Sequence, residues 1–123
     1  MQDVRKLVVW QKSPQLTLDI YKVSRAYPKE ELYGLTSQTR RSAASIPTNI
    51  AEGCGRKGGA DPARFLDIAL GSACELDYHF ILACNLAFLS NADYGRLSTG
   101  RSKVKQMLCG LLQKVRPKRV NKR

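Results

Sequence analysis

After Asp93 the sequence contains no aspartate or glutamate. Residues 94–123 hold ten lysines and arginines, whereas residues 1–93 hold eleven against all ten acids. The formal net charge of +11 is therefore concentrated in the last quarter of the chain. Histidine is almost missing: His79 stands alone, and Glu75 to His79 is spaced ExxxH. A di-metal carboxylate bundle needs two ExxH pairs and further inward glutamates, and Glu30, Glu31 and Glu52 cannot complete such a set. The cysteines lack any CxxC or CxxH spacing, which leaves no zinc site or redox pair to read. Long apolar runs are absent as well. The longest stretch free of Asp, Glu, Lys and Arg is Tyr78–Ala92, 15 residues, short of the ~20 that a membrane span requires. Leu7–Trp10 is the only apolar run near the N-terminus, against the ~7–15 residues of a signal-peptide core. Cys74, Cys84 and Cys109 fall in apolar periodic segments, where a thiol acts as a small hydrophobe. Four reduced thiols in a soluble, cytoplasmic protein without cofactor or metal are the expectation.

What is present is one domain's worth of helix. The chain has 123 residues, 43% of them apolar, enough for one core without disulfide or metal staples. Leu16, Ile20, Val23 and Tyr27 recur at helical spacing. Two starts fit this first helix: Ser13-Pro14 as N-cap and N1, or an earlier turn at Val8-Val9-Trp10 with Pro14 inside. Tyr27-Pro28 should end it. A second helix is predicted over Thr36–Glu52, with Leu35, Thr39, Ser42, Ala43, Ile46 and Ile50 inward and Pro47 inside it. Gly53–Gly59 reads as a loop. Asp61-Pro62 supplies the N-cap and N1 of the longest helix, predicted over Pro62–Leu89. That helix shows two stripes: Phe65, Ala69, Ser72, Leu76, His79, Ala83, and Leu66, Leu70, Ala73, Phe80, Ile81, Cys84, Phe88. Two apolar sides predict more than one packing partner, another subunit among them. Ser90-Asn91-Ala92-Asp93 has capping-box form and opens a fourth helix to Val115, with Leu97, Val104, Leu108, Leu111 and Val115 inward. No segment alternates with period two between hairpin turns. The expected fold is all-α: an antiparallel four-helix bundle of up-down topology over residues 1–115, followed by a disordered basic tail over 116–123.

Two motifs match by letter and fail by context. Gly53-Cys54-Gly55-Arg56-Lys57-Gly58 fits GxGxxG, but the dinucleotide fingerprint needs a strand before it. Here a helix precedes it. His79 shares one helix with Cys74 and Cys84, off the spacing that would bring it to either, so Cys–His catalysis has no constellation. No enzyme is visible.

Val9-Trp10-Gln11-Lys12, Tyr21, the run Tyr27–Gln38 (YPKEELYGLTSQ), Arg40-Arg41, Ser45-Ile46-Pro47, Asn49–Gly53 (NIAEG), Arg64-Phe65-Leu66, Ala69–Ala73 (ALGSA) and Glu75-Leu76 form an ordered signature. With it the chain resembles the bacterial four-helix-bundle family encoded in intervening sequences of large-subunit ribosomal RNA genes, once labelled a ribosomal protein. The resemblance spans residues 7–115 and leaves the tail outside. It implies an all-α bundle assembling as a barrel-shaped homopentamer, with no cofactor and no catalysis. The fold is also similar to accessory proteins of diversity-generating retroelements, basic pentamers that bind reverse transcriptase and nucleic acid. By that analogy a nucleic-acid enzyme is a further candidate partner. The family's tie to ribosomal RNA is one of gene location.

Charge and resemblance together direct attention to the cations. Arg116, Lys118, Arg119, Lys122 and Arg123 place five positive charges in the last eight residues; Lys103 and Lys105 on the fourth helix come next, and Arg40, Arg41, Arg56 and Lys57 offer a second basic patch. Two readings stand: contact with RNA or DNA, or a protein–protein scaffold whose tail meets an acidic partner or only solvent. Aromatics are 7%, at core-like spacings, so base-specific reading is not expected. Arg40 and Arg41 are adjacent and so point about 100° apart; one can pair across a subunit contact while the other meets solvent or phosphate. Pro47 lacks the N–H that the Ala43 carbonyl would receive, and Asn49 and Glu52 are placed to satisfy polar groups there, a ligand or partner site being the other reading. Gly53 is read as a left-handed C-cap, and Gly71-Ser72-Ala73 as a close helix crossing.

Overall fold

A computed structural model describes residues 7–55 and 61–116. Four helices carry almost all of them: α1 (Val8–Ser24), α2 (Leu35–Gly55), α3 (Pro62–Asn85) and α4 (Asn91–Val115), with one 3-10 turn at Lys29–Glu31. Each helix packs on the next in sequence, and α1 also packs on α4, so the four close around a shared core. Among the described residues there is no strand, and no helix is long and apolar enough to cross a membrane.

The core follows the predicted faces closely. In α3, Leu66, Ala69, Ala73, Leu76, Phe80 and Ala83 are all 0% exposed. Their alternating spacing of three and four residues makes a single seam that draws members from both predicted stripes. The stripes are thus the two flanks of one seam, with α2 against one and α4 against the other. Ser72 on the first flank donates to Ser45 Oγ of α2 at 2.9 Å; Asp77, on the other, faces Arg101 of α4. Ile81, by contrast, is exposed. Leu35, Thr39, Ser42, Ala43, Ile46 and Ile50 of α2 are buried as expected.

Both internal prolines stand inside continuous helix. α1 starts at Val8 and runs through Pro14, which selects the earlier of its two possible starts. Pro14 cannot donate to the Trp10 carbonyl, and Ser13 Oγ donates there instead at 3.3 Å. Pro47 cannot donate to the Ala43 carbonyl. That acceptor is met from another helix, by Thr17 Oγ1 at 3.2 Å, the same hydroxyl also reaching the Ser13 carbonyl at 3.0 Å. Thr17 therefore does what Asn49 and Glu52 were expected to do. Asn49 Nδ2 instead donates to Ser45, to its carbonyl at 2.8 Å and its Oγ at 2.9 Å, and Glu52 is exposed on the last turns.

Element ends differ from the reading in three places. α1 stops at Ser24, before Tyr27, yet Tyr27 remains buried and packs its ring on Phe88 at 5.9 Å. α2 continues to Gly55, so Gly53 is helical and not a left-handed cap. Its missing side chain serves a close approach: a Cβ there would lie 3.2 Å from the Pro62 carbonyl oxygen and 3.4 Å from Phe65 Cβ. The predicted loop therefore begins no earlier than residue 56, and residues 56–60 lie outside the described ones. α3 ends at Asn85, four residues before Leu89, because Ala87 adopts φ 64°. The Phe88 and Ala87 N–H groups fold back to the Ala83 and Cys84 carbonyls at 2.9 and 3.0 Å, a Schellman closure with alanine in glycine's usual place. The fourth helix begins as read, Ser90 Oγ accepting from the Asp93 N–H at 3.1 Å.

Candidate functional site

Charge and apolar exposure are concentrated in different segments of the chain. Residues 91–116 carry Arg96, Arg101, Lys103, Lys105, Lys114 and Arg116 against Asp93 alone. The other described residues hold seven cations and eight acids. Large exposed hydrophobic side chains run the opposite way: Val8, Leu18, Tyr21, Leu32, Tyr33, Ile68, Tyr78, Ile81 and Leu86 all lie outside residues 91–116. Tyr33, at 93% exposure, is the extreme case.

Helical geometry sorts the cations of α4 into two rows. Arg96, Lys103 and Lys114 are separated by seven and eleven residues, so they fall within about 20° of one line along the helix. All three are exposed. Lys105 is two residues from Lys103 and therefore about 200° round the axis; it shares the opposite row with Arg101, one turn away. Arg101 was not singled out by the sequence reading. It stands 3.6 Å from Asp77 on α3 and its side chain is 11% exposed. Two cations are partly neutralised: Arg96 pairs with Asp93 at 2.6 Å, and Arg116, which closes α4 as its C-cap, pairs with Asp67 at 2.5 Å. Lys118, Arg119, Lys122 and Arg123 of the predicted tail, and Arg56 and Lys57, lie outside the described residues.

Arg40 and Arg41 diverge as their adjacency requires. Arg40 is engaged within the chain: Nε donates to Ser24 Oγ at 2.8 Å, Nη2 to the Tyr21 carbonyl at 3.3 Å, and the guanidinium lies 4.7 Å over the Tyr21 ring. It ties the end of α1 to α2. Arg41 is exposed and joins two neighbouring hollows. Tyr21, Leu32, Tyr33, Ser37 and Arg40 line one with it; Gln38, Ser42, Ser45, Ser72 and Glu75 line the other. In the second, Ser42 Oγ donates to Glu75 Oε1 at 2.7 Å. Of the Gly71-Ser72-Ala73 run, Ser72 bonds to α2 and Ala73 is buried in the seam, but Gly71 is exposed and a Cβ there would meet nothing.

His79 is buried on α3 with Nδ1 unpartnered. Burial lowers its pKa, and the negative charge of Glu75 opposes that shift. Cys84 is half-buried and donates to Asn91 Oδ1 at 3.2 Å, while Cys74 and Cys109 are exposed and so are not core hydrophobes. Among the described residues no three His, Cys, Asp or Glu side chains gather as metal ligands would.

No functionally curated protein matches the chain. A solved structure from Bacteroides thetaiotaomicron VPI-5482, described as a protein with unknown function from the S23 ribosomal protein family, shares the fold with a TM-score of 0.79. That similarity covers 86% of this chain and 96% of the other at 24% identity. The model of the 23S rRNA-intervening sequence protein family matches residues 5–110. With that match over most of its length, and with four packed helices as its fold, the chain belongs to the 23S rRNA-intervening sequence protein family.

Proposed function

We propose that this protein is a non-enzymatic, cytoplasmic antiparallel four-helix bundle that assembles with copies of itself, as a pentamer by family resemblance, and associates with nucleic acid, RNA before DNA. The observation that carries this reading is the division of the surface: a basic α4 and C-terminal segment, and exposed tyrosine, leucine and isoleucine kept to the other helices and turns. The excess of positive over negative charge on α4 attracts a polyanion, whereas tyrosine, leucine and arginine at the Tyr21–Arg41 hollow suit contact with protein. The case for assembly rests on those exposed side chains, because the two stripes of α3, Ile81 apart, pack within the chain. Assembly would repeat each weak phosphate contact several times and raise the combined affinity.

The test is recovery of partners from cells with and without nuclease, with the intact chain and with residues 116–123 deleted. Nuclease-sensitive recovery of nucleic acid, reduced by the deletion, is the expected result. Affinity should fall with salt by about −0.9 in log–log slope per phosphate contact on duplex DNA, or about −0.7 on single strands. The truncated chain should keep its helix content and show a flatter slope. Unchanged protein partners and no recovered nucleic acid would favour a scaffold.

A further inference from the structure

Arg101 is a cation that the fold buries without fully satisfying. Its side chain is 11% exposed, and Nε has no hydrogen-bond partner. Nη2 donates to Ser102 Oγ at 3.2 Å, and the nearest carboxylate oxygen, on Asp77, stands 3.6 Å away, too far for a hydrogen bond. A guanidinium offers five donors in a planar fork that matches two oxygens of one anion. Buried charge is costly unless it is paired and hydrogen-bonded. The chain's own side chains meet that requirement only in part.

The surroundings are those of an anion site. Arg101, Ser102, Lys105, Gln106, Cys109, Gly110 and Gln113 line a trough of about 510 Å3 along the outer side of α4. Lys105 adds a second cation one turn from Arg101, and Ser102, Gln106 and Gln113 add neutral donors. No carboxylate lines the trough. Gly110 leaves its part of the wall as bare backbone, and a Cβ there would meet nothing in the chain, so its lack of a side chain serves no internal packing.

We propose that this trough holds the phosphate backbone of a nucleic-acid strand, with Arg101 and Lys105 pairing to phosphate oxygens. The proposal rests on the nucleic-acid reading above and locates the contact on the folded helix, independently of the tail. Asp77 competes with the ligand for Arg101, which gives the test two variants of opposite sign.

The measurement is the binding of a fluorescein-labelled oligouridylate to the intact chain, followed by anisotropy across a salt series, with polyglutamate and inorganic phosphate as competitors. Arg101→Gln should weaken binding about five- to tenfold and reduce the salt slope by about 0.7. Asp77→Asn should strengthen it, and Arg101→Lys should restore part of the loss. Circular dichroism checks that each variant keeps its helices. Tight binding by the intact chain that neither Arg101→Gln nor Asp77→Asn changes would overturn this assignment and leave the broader function standing. Polyglutamate competing as well as the oligonucleotide would also overturn it, since the trough would then be a site for acidic protein; inorganic phosphate should compete only weakly, having one phosphate where the strand offers several. No binding by the intact chain would remove the broader reading together with this one.

Discussion

Thr17 shows how one hydroxyl supports a proline that lies 30 positions further along the chain. It is the donor to the Ala43 carbonyl that Pro47 leaves without a helical partner. Thr17→Val keeps the shape of the side chain and removes that donor, stranding a part-buried acceptor. Chemical denaturation should report a loss of about 1–2 kcal/mol. His79 is a second case, and it sets a pH dependence. Because burial holds its pKa below 6.5 in the fold, the unfolded chain takes up the proton first as pH falls. Above 6.5 His79 is neutral in both states and contributes nothing to the pH dependence. Below that value stability should decline until the folded-state pKa is reached. His79→Gln should flatten this acid limb, and since His79 is the only histidine, its imidazole signals in a nuclear magnetic resonance titration need no assignment. Proline, glycine and histidine positions were legible in the sequence, but their partners were not. Thr17 and Ala43 are 26 residues apart, and the burial of Arg101 beside Asp77 depends on how α3 packs against α4.

At the level of whole elements, helix periodicity placed all four helices, and Ser90 and Asp61 marked two starts that the structure keeps. Helix ends were harder to read. α3 closes through a left-handed residue that is alanine, so the glycine signal for a stop is missing and apolar spacing continues to Leu89. Ala87→Gly should relieve the strained φ at a small entropic cost in the unfolded chain. A gain of about 0.5–1 kcal/mol in denaturation free energy, with unchanged helix content, is the expected outcome. Gly53 teaches the converse. A glycine after an apolar run resembled a cap, but the approach of Pro62 and Phe65 is what excludes a side chain there. The paired stripes of α3 were read correctly as two contact surfaces. Their occupants are α2 and α4.

Across the whole molecule, the charge asymmetry was fully legible because it needs only counting. The matching apolar asymmetry was not, since Tyr21, Tyr33 and Tyr78 show nothing in sequence to mark them as exposed while Tyr27 is buried. Under the proposed function, the exposed apolar side chains outside α4 would serve assembly and the cations of α4 would meet a polyanion. Sedimentation velocity of the intact chain mixed with a dye-labelled single-stranded RNA tests both at once. The account predicts protein at a multiple of 13.7 kDa, with dye travelling alongside it at low salt. Raising the salt should release the dye while the assembly persists, because counterion release weakens phosphate contacts and apolar contacts are not screened. A 13.7 kDa monomer, with the RNA sedimenting alone at low salt, would contradict the account.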